Sequence, residues 1–534
     1  MPAFLQKSKP ALQPSDPAKE DSGTRDDSGA ELDADACYRA LQTHDARFDG
    51  RFFTAVKTTG IFCRPICTAR TPFRRNVEFF KSAAGAFSAG YRPCLRCRPE
   101  LAPRAWTGNG AALYLQHALA LIDQGFLEDR ALPDLAAKIG VTDRHLRRLF
   151  VEHLGASPIE VAQTRRLLFA KQLLDQTALP ITQVALAAGY GSLRRFNDAF
   201  RSSYKRSPSE MRARRAAGGR DNGSHDDTSA ISLRLGCNAP YQWAALSAFA
   251  AGRAFDGIEE VGAASYRRVF MLDGAYGSFS LAPAADTPAD THQMLVSIRY
   301  PKVEHLGILV ERIRRMFDLN AGIALISAHL GRDPLLKKVV KKLPGLRIPG
   351  AWDPFELAIR AVLGQQVSVR GATTLAARLV DAYGAKLPAE AIDPAAPQLN
   401  RLFPEAKVLA RADYERIGLT RARAQTLRTV AGAYAEDPEL FADTADLDAF
   451  IARLTALPGI GEWTAQYIAM RALRHPDAFP ASDLGLLRAV AAAGHPMSAK
   501  ELLQYAERWR PWRAYAAMYL WMSETVLKAR SALQ

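Results

Sequence analysis

No stretch of this 534-residue sequence approaches the roughly 18 consecutive apolar residues that a membrane span requires. The first residues, MPAFLQKSKPALQPSDPAKEDSG, lack the apolar core of a secretory signal, so a cytoplasmic protein with no membrane partner is expected. Cysteine is scarce, at six residues, and in a reducing compartment those thiols are not expected to pair as disulfides. Acidic side chains are in deficit, 55 against 70 Lys and Arg, and the deficit is not uniform. Residues 1–50 carry 6 basic and 10 acidic side chains, residues 51–220 carry 28 and 12, and residues 221–534 carry 36 and 33. A basic block in one half of an otherwise balanced chain marks a phosphate-binding surface, so nucleic acid is the first partner to consider.

What is present is ordinary folded material, 48% hydrophobic and 9% aromatic. There is too much of it for one core, and about three to five domains are expected. Residues 1–33, rich in Pro, Ser, Asp and Gly, are expected to be disordered. A second such stretch, AAGGRDNGSHDDTSA (216–230), has linker composition and coincides with the loss of the basic surplus. Before it lie a cysteine-rich segment (34–102) and a helical one (108–215); after it come a mixed segment (231–345) and a helical one (346–534).

Four of the six cysteines form two pairs, Cys63-x-x-x-Cys67 and Cys94-x-x-Cys97, separated by 26 residues. That two-knuckle spacing closes one tetrahedral zinc site. The strings FFTAVKTTGIFCRPICTARTPFRRNVEFF and AGYRPCLRCRPE around them closely resemble the N-terminal domain of the Ada-type regulators of the response to alkylating agents. The resemblance implies zinc on four cysteines, with Cys63 taking a methyl group from a methylated DNA phosphate and Cys67, Cys94 and Cys97 as the remaining ligands. Four thiolates around a divalent ion carry a formal charge of about −2, and methylation of Cys63 lessens it by one, easing repulsion from DNA. Arg64, Arg70, Arg74 and Arg75 are then expected to hold phosphate with less opposition.

The string LPDLAAKIGVTDRHLRRLFVEHLGASP reads as helix, Gly140 turn and a second helix capped by Thr142 or Asp143. About fifty residues later ITQVALAAGYGSLRRFNDAFRSSYKRSP repeats it, Phe200 answering Phe150 and Ser207-Pro208 answering Ser157-Pro158. Two such units joined by a long helix resemble the AraC-type DNA-binding domain. The second helix of each would enter a major groove, presenting Arg144, His145 and Arg148 in one copy and Ser192, Arg194, Arg195 and Asn197 in the other. For any one of these arginines a phosphate contact or a solvated helix face competes with base readout.

In LTALPGIGEWTAQYIAMRAL, Gly459 and Gly461 let a hairpin between two helices turn its amides outward, toward a DNA phosphate. Asp483 follows Gly459 by 24 residues, at the start of an apolar helical pattern, where Asp also serves as an N-cap. Together these resemble the helix-hairpin-helix DNA glycosylase superfamily, and the resemblance makes Asp483 the catalytic carboxylate. Members that also cut the backbone use a lysine two residues after the second hairpin glycine; Trp463 stands there, which implies a monofunctional enzyme leaving an abasic site.

Through AWDPFELAIRAVLGQQVSVRGA, the hairpin and YAERWRPWRAYAAMYLW, residues 231 to the end resemble the bacterial 3-methyladenine DNA glycosylases II. Trp463, Tyr467 and Trp521 match aromatic positions of that family's cleft for damaged bases, each also readable as plain core packing. Cationic purines such as 3-methyladenine and 7-methylguanine would stack on those faces. Two departures stand out: Leu484 falls where the family has a fourth aromatic, and Gln366 falls where the best-known member has a wedge leucine. Strand-like SYRRVFML and HQMLVSIRY suit the family's small α/β N-terminal domain.

The sequence therefore reads as a multidomain, mainly α protein with α/β parts. A small four-cysteine zinc domain (34–102) and an AraC-type double helix-turn-helix (108–215) precede a small α/β domain (231–345) and a helix-hairpin-helix glycosylase domain (346–534). The Pro-Cys-His-Arg setting of Ada's second methyltransferase is absent, and Cys237, in LRLGCNAPY, does not match it, so repair of O6-methylguanine is not expected. The expected partners are double-stranded DNA, alkylated and promoter, and RNA polymerase; one zinc ion is expected in front, no cofactor for the glycosylase step, and a monomer. Two rival readings stay open: a transcription factor whose repair half only binds damaged DNA, and a front half that is a structural targeting module without methyl transfer.

Overall fold

The structure, a computed structural model, describes residues 32–104, 111–217, 230–285, 292–442, 444 and 446–531. The segment expected to be disordered lies outside the described residues except for Leu32 and Asp33, as does most of the expected linker.

The cysteine-rich segment opens on a helix, Ala34–Gln42, whose first amides are capped by Asp33. Four short strands follow: β1 (Phe53–Val56), β2 (Ile61–Cys63), β3 (Val77–Phe80) and β4 (Arg92–Pro93), in the order β3-β1-β2-β4. β2 is antiparallel to β1 and parallel to β4, which brings the end of β2, at Cys63, beside the start of the Cys94 knuckle. Phe53, Ala55, Phe62 and Ala86 form the small core beneath.

The helical segment is two helix-turn-helix units on one long helix, Pro158–Gln176, started by a Ser157–Glu160 capping box. In the first unit, helix Leu132–Ile139 ends at Gly140 with φ +85°, a conformation that favours glycine, and helix Asp143–Leu154 follows, capped by Thr142. In the second, Ile181–Ala187 leads to Leu193–Tyr204, capped by Ser192. The spacing of Leu146, Leu149 and Phe150, and of Phe196, Phe200 and Tyr204, turns one stripe of each second helix inward.

Residues 231–299 form an antiparallel sheet of β5 (Ile231–Cys237), β6 (Glu259–Val261), β7 (Tyr266–Leu272), β8 (Ala275–Pro283) and β9 (His292–Arg299) in the order β5-β9-β8-β7-β6. The two strand-like strings are β7 and β9, and alternation along β9 buries Met294, Val296 and Ile298. Beyond Leu306 the described residues form helices and their connecting turns with an isolated bridge, Lys386 to Arg401, and the largest core among them runs from Phe249 to Leu520. Cys37 and Cys237 are buried, and burial pushes each thiol up to about 11, so both serve as core side chains.

The halves are packed together. One apolar core holds Leu167, Leu173, Phe196 and Phe200 with Leu233, Leu235 and Val296. Gln172 Nε2 donates to the Arg234 carbonyl (2.8 Å), and the Arg234 amide donates to Gln176 Oε1 (2.7 Å), so the long helix caps the free edge of β5. Arg104 pairs with Asp123 (2.9 Å) and with Glu311 (3.0 Å), one carboxylate from each half. Leu173→Ala, at a side chain 0% exposed, should cost about 2–5 kcal/mol and lower the melting temperature of the whole chain in one calorimetric transition. Two transitions, only one of them shifted, would show the cores to be independent.

Candidate functional site

The four sulfurs of Cys63, Cys67, Cys94 and Cys97 lie within 4.8 Å of one another. Bonds of about 2.3 Å to a tetrahedral ion put sulfurs roughly 3.8 Å apart, so the set fits a small divalent metal after minor contraction. Without one the thiols conflict: hydrogen bonding to Cys63 holds Cys67 down at about 7, and contact with Cys67 pushes Cys63 up. Backbone amides donate to three of the sulfurs, Arg64 to Cys97 (3.3 Å), Arg96 to Cys94 (3.4 Å) and Ala69 to Cys67; Cys63 receives no such bond among the described residues.

One expectation for this site is corrected. Arg64 is buried, its guanidinium donating to both Asp49 oxygens and to the Cys97 carbonyl (3.1 Å), so it braces the knuckle and is not free to hold phosphate. Arg70 and Arg75 are exposed, while Arg74 is half-buried against Tyr38 and Phe79. Nothing in the spacing distinguished Arg64 from its neighbours, because its partner Asp49 lies outside the motif.

On the helix-turn-helix units, Arg144, Arg148, Arg194 and Arg195 are exposed on the second helices. Arg148 contacts His145 (3.1 Å) and Arg194 lies 3.9 Å from Asp198, both interactions that solvent screens and DNA can displace. Ser192 is occupied as the cap that receives the Arg195 amide, and Asn197 is half-buried.

In the repair half, the hairpin Leu457–Gly461 joins helix Leu447–Thr455 to helix Glu462–Ile468, with Ile460 buried as its anchor. Gly459 has φ +89°, and a Cβ there would lie 2.0 Å from Thr426 Oγ1, so neither the conformation nor the space admits another residue. Gly461 is exposed, with open space around it, at the start of the second helix. Gln365, which the sequence reading passed over, donates to the Gly459 carbonyl (3.0 Å) and Thr464 Oγ1 (3.1 Å), tying the hairpin to the turn that carries Gln366. Gln366 stands exposed at the tip of that turn with φ +55°.

Asp483 sits where both readings of it hold at once. Its Oδ1 caps the following helix through the Leu486 amide (3.0 Å) and also accepts from Trp521 Nε1 (2.8 Å); its Oδ2 accepts from Trp463 Nε1 (2.9 Å). Gly485 leaves room for this clamp, since a Cβ there would lie 2.9 Å from Asp483 Oδ1. Trp463 stacks on Tyr467 with ring centres 5.4 Å apart, and Tyr467 lies 6.3 Å from Trp521. The three aromatics expected to form a base cleft are therefore packed together, and the two indoles do more than stack, since they also hold the carboxylate. Leu484 is 65% exposed and covers none of the three rings. Three arginines missed in the sequence, Arg253, Arg360 and Arg471, gather behind Tyr467. Their signal was available: each interrupts an apolar run, in FAAGRAF, LAIRAVLG and IAMRAL.

Comparison with known proteins bears on these sites. The sequence matches family models described as the metal binding domain of Ada (36–100), a helix-turn-helix domain (135–214) and the AlkA N-terminal domain (232–353). Over 489 residues, 92% of this chain and 96% of the relative, it is 40% identical to a Mycobacterium tuberculosis protein named probable bifunctional transcriptional activator/DNA repair enzyme AlkA. The chain belongs to this bifunctional activator and repair family. Two relatives of the bifunctional family each cover one half. The repair half is similar to DNA-3-methyladenine glycosylase 2 of Escherichia coli, 30% identical over 54% of this chain and 96% of that protein. The front half is similar to the Escherichia coli bifunctional transcriptional activator/DNA repair enzyme Ada, 36% identical over 30% of this chain and 43% of the relative. The bifunctional architecture expected from the strings is thus the family's own, and no helix among the described residues is long and apolar enough to cross a membrane.

Gly459→Ala should weaken binding to duplex DNA at least about tenfold while leaving the metal centre loaded, because the left-handed backbone and Thr426 both exclude a side chain. Titration of a labelled duplex alongside metal analysis checks this.

Proposed function

We propose that the repair half is a monofunctional DNA glycosylase that excises alkylated purines, 3-methyladenine and 7-methylguanine, and that the front half is a zinc-dependent methylphosphotriester sensor and promoter-binding activator. The observation that carries the first part is the carboxylate of Asp483, held from three directions beside a stack of aromatic rings that stands on the helix the hairpin starts. The glycosidic bond is inaccessible in the stack, so the damaged nucleotide must be extruded, with Gln366, exposed on its turn, as the group that fills the gap. The base enters between Trp463, Tyr467 and Trp521. As the bond to the sugar lengthens, positive charge grows on the ring, and the fixed Asp483 oxygens stabilise it and orient the attacking water. With an indole at position 463 in place of an amine, the chain offers no Schiff-base nucleophile there, and the product is an abasic site.

In front, Cys63, Cys67, Cys94 and Cys97 would hold the zinc, which when bound keeps all four sulfurs as thiolates. Cys63 is the reacting sulfur in this reading because it lacks the amide hydrogen bond that the other three accept and is half exposed, whereas Cys67 and Cys94 are buried. Its sulfur forms a bond to the methyl carbon as the methyl carbon–oxygen bond breaks, and the phosphate leaves as an ordinary diester anion. The site loses one negative charge, and Arg70 and Arg75, exposed nearby, bind the backbone more strongly. Arg144, Arg148, Arg194 and Arg195 would place the double helix-turn-helix on promoter DNA, within reach of RNA polymerase.

Incubating the protein with methylated duplex DNA and separating the free bases should show release of both purines. Asp483→Asn should reduce release by about a hundredfold or more, since it removes the charge that faces the sugar. Binding without release by the unmodified protein would make the repair half a damage-binding module. Mass spectrometry of the same incubation should show a single added methyl on Cys63, abolished in Cys63→Ser; a metal-loaded, unmethylated Cys63 would reduce the front half to a targeting module.

A further inference from the structure

The phenol of Tyr467 stands in an unusual setting. Arg471 Nη1 donates to its oxygen at 2.6 Å, Arg253 approaches the same oxygen, and Arg360 faces it from helix Pro354–Leu363. Arg360 and Arg471 are 8% and 6% exposed. Among the described residues the hydrogen bonds of these arginines go to neutral oxygens only. Arg253 donates to the Phe249 carbonyl (3.1 Å), Arg360 to Thr373 Oγ1 (3.4 Å), and Arg471 to the carbonyls of Pro349 (2.8 Å) and Gly350 (3.2 Å) besides Tyr467. One nitrogen of Arg360, Nη1, is buried without a partner, and the residue lines a cavity of about 60 Å³ together with Arg253, Arg471, Glu259 and Glu356.

Buried guanidiniums do not lose their protons, so this cluster requires anions. The nearest carboxylates are already engaged: Glu259 and Glu356 both accept from Arg268, at 2.7 and 2.5 Å, and Asp483 is held by the two indoles. Arg268 takes both Glu259 and Glu356, so among the described residues no carboxylate hydrogen-bonds to Arg253, Arg360 or Arg471, in a pocket that we read as taking cationic purines. Burial alone would raise the phenol, but Arg471, Arg253 and Arg360 hold it below its ordinary value. No other charged group among the described residues contacts the ring: Trp463 and Trp521 pack on it, and Asp483 lies beyond them.

We propose that Tyr467 serves the lesion pocket as a phenolate, the missing anion of the arginine cluster, and that its charged ring is the face that selects cationic bases. The proton goes to solvent when the pocket is empty. An ionised ring gives these arginines a charged partner and strengthens attraction for a positively charged purine stacked on it. The arginines, behind the ring and away from the sugar, then keep the charge fixed. The second clause rests on the glycosylase reading; the first does not.

The test is a spectrophotometric titration of the whole protein, following tyrosinate absorbance from about pH 6 to about pH 11 against the ordinary phenol midpoint near 10. One of the 16 tyrosines should ionise distinctly below that midpoint. The component should vanish in Tyr467→Phe, and it should move up in Arg253→Gln, a half-buried position chosen so that folding survives. Superimposable curves for wild type and Tyr467→Phe overturn the proposal. Release of 7-methylguanine should fall as the pH is lowered through that midpoint, since acid restores the neutral phenol, and should be flat there in Tyr467→Phe. A low-lying tyrosinate with no such fall sinks its role in selection. If no base is released at any pH while the tyrosinate signal persists, it is the glycosylase assignment that fails.

Discussion

The three-way clamp on Asp483 is the constraint to which the repair half is built. Trp463 reaches it from the helix that the hairpin starts, Trp521 from the C-terminal helix, and Leu486 from the helix that Asp483 itself caps. Each donor depends on a different part of the chain being in register. The hairpin is fixed by the buried Ile460 and by Gly459 against Thr426, while Gln365 couples it to the turn of Gln366. A carboxylate with both oxygens committed cannot swing, so its position relative to the stacked rings of Trp463 and Tyr467 is fixed before anything binds.

The parts of the molecule that were legible in the sequence share a property: their determinants are local. The knuckle pairs, the capped second helices, the hairpin glycines and the alternation in β9 each occupy a few consecutive residues, and the structure forms them where the strings put them. What escaped was non-local. Arg64 reads as one more basic residue until Asp49 is brought beside it, and Gln365 reads as a neighbour of Gln366 until the hairpin arrives. The indoles of Trp463 and Trp521 could be placed in a cleft from pattern, yet their hydrogen bonds to Asp483 depend on helices that begin more than forty residues apart. The arginines behind Tyr467 were visible as interruptions of apolar runs, but only their convergence gives them meaning.

Charge is handled differently at the two ends of the chain. In front, Arg70 and Arg75 are exposed at the surface of the domain that holds the four-sulfur centre, where solvent screens them. In the repair half the guanidiniums are buried, where each must be matched, and the network of Arg268, Glu259 and Glu356 shows how closely. Glu356 is pushed up to about 7 by burial even with Arg268 beside it, a measure of how dry that region is.

The helix that carries both helix-turn-helix units also lies along the outer edge of β5, with Gln172 and Gln176 satisfying backbone groups that no strand pairs. An uncovered sheet edge is a template for another chain. Fused in this way, the regulator shields the repair half's sheet: the same helix that presents the two helix-turn-helix units keeps the edge of β5 from offering its backbone to another strand.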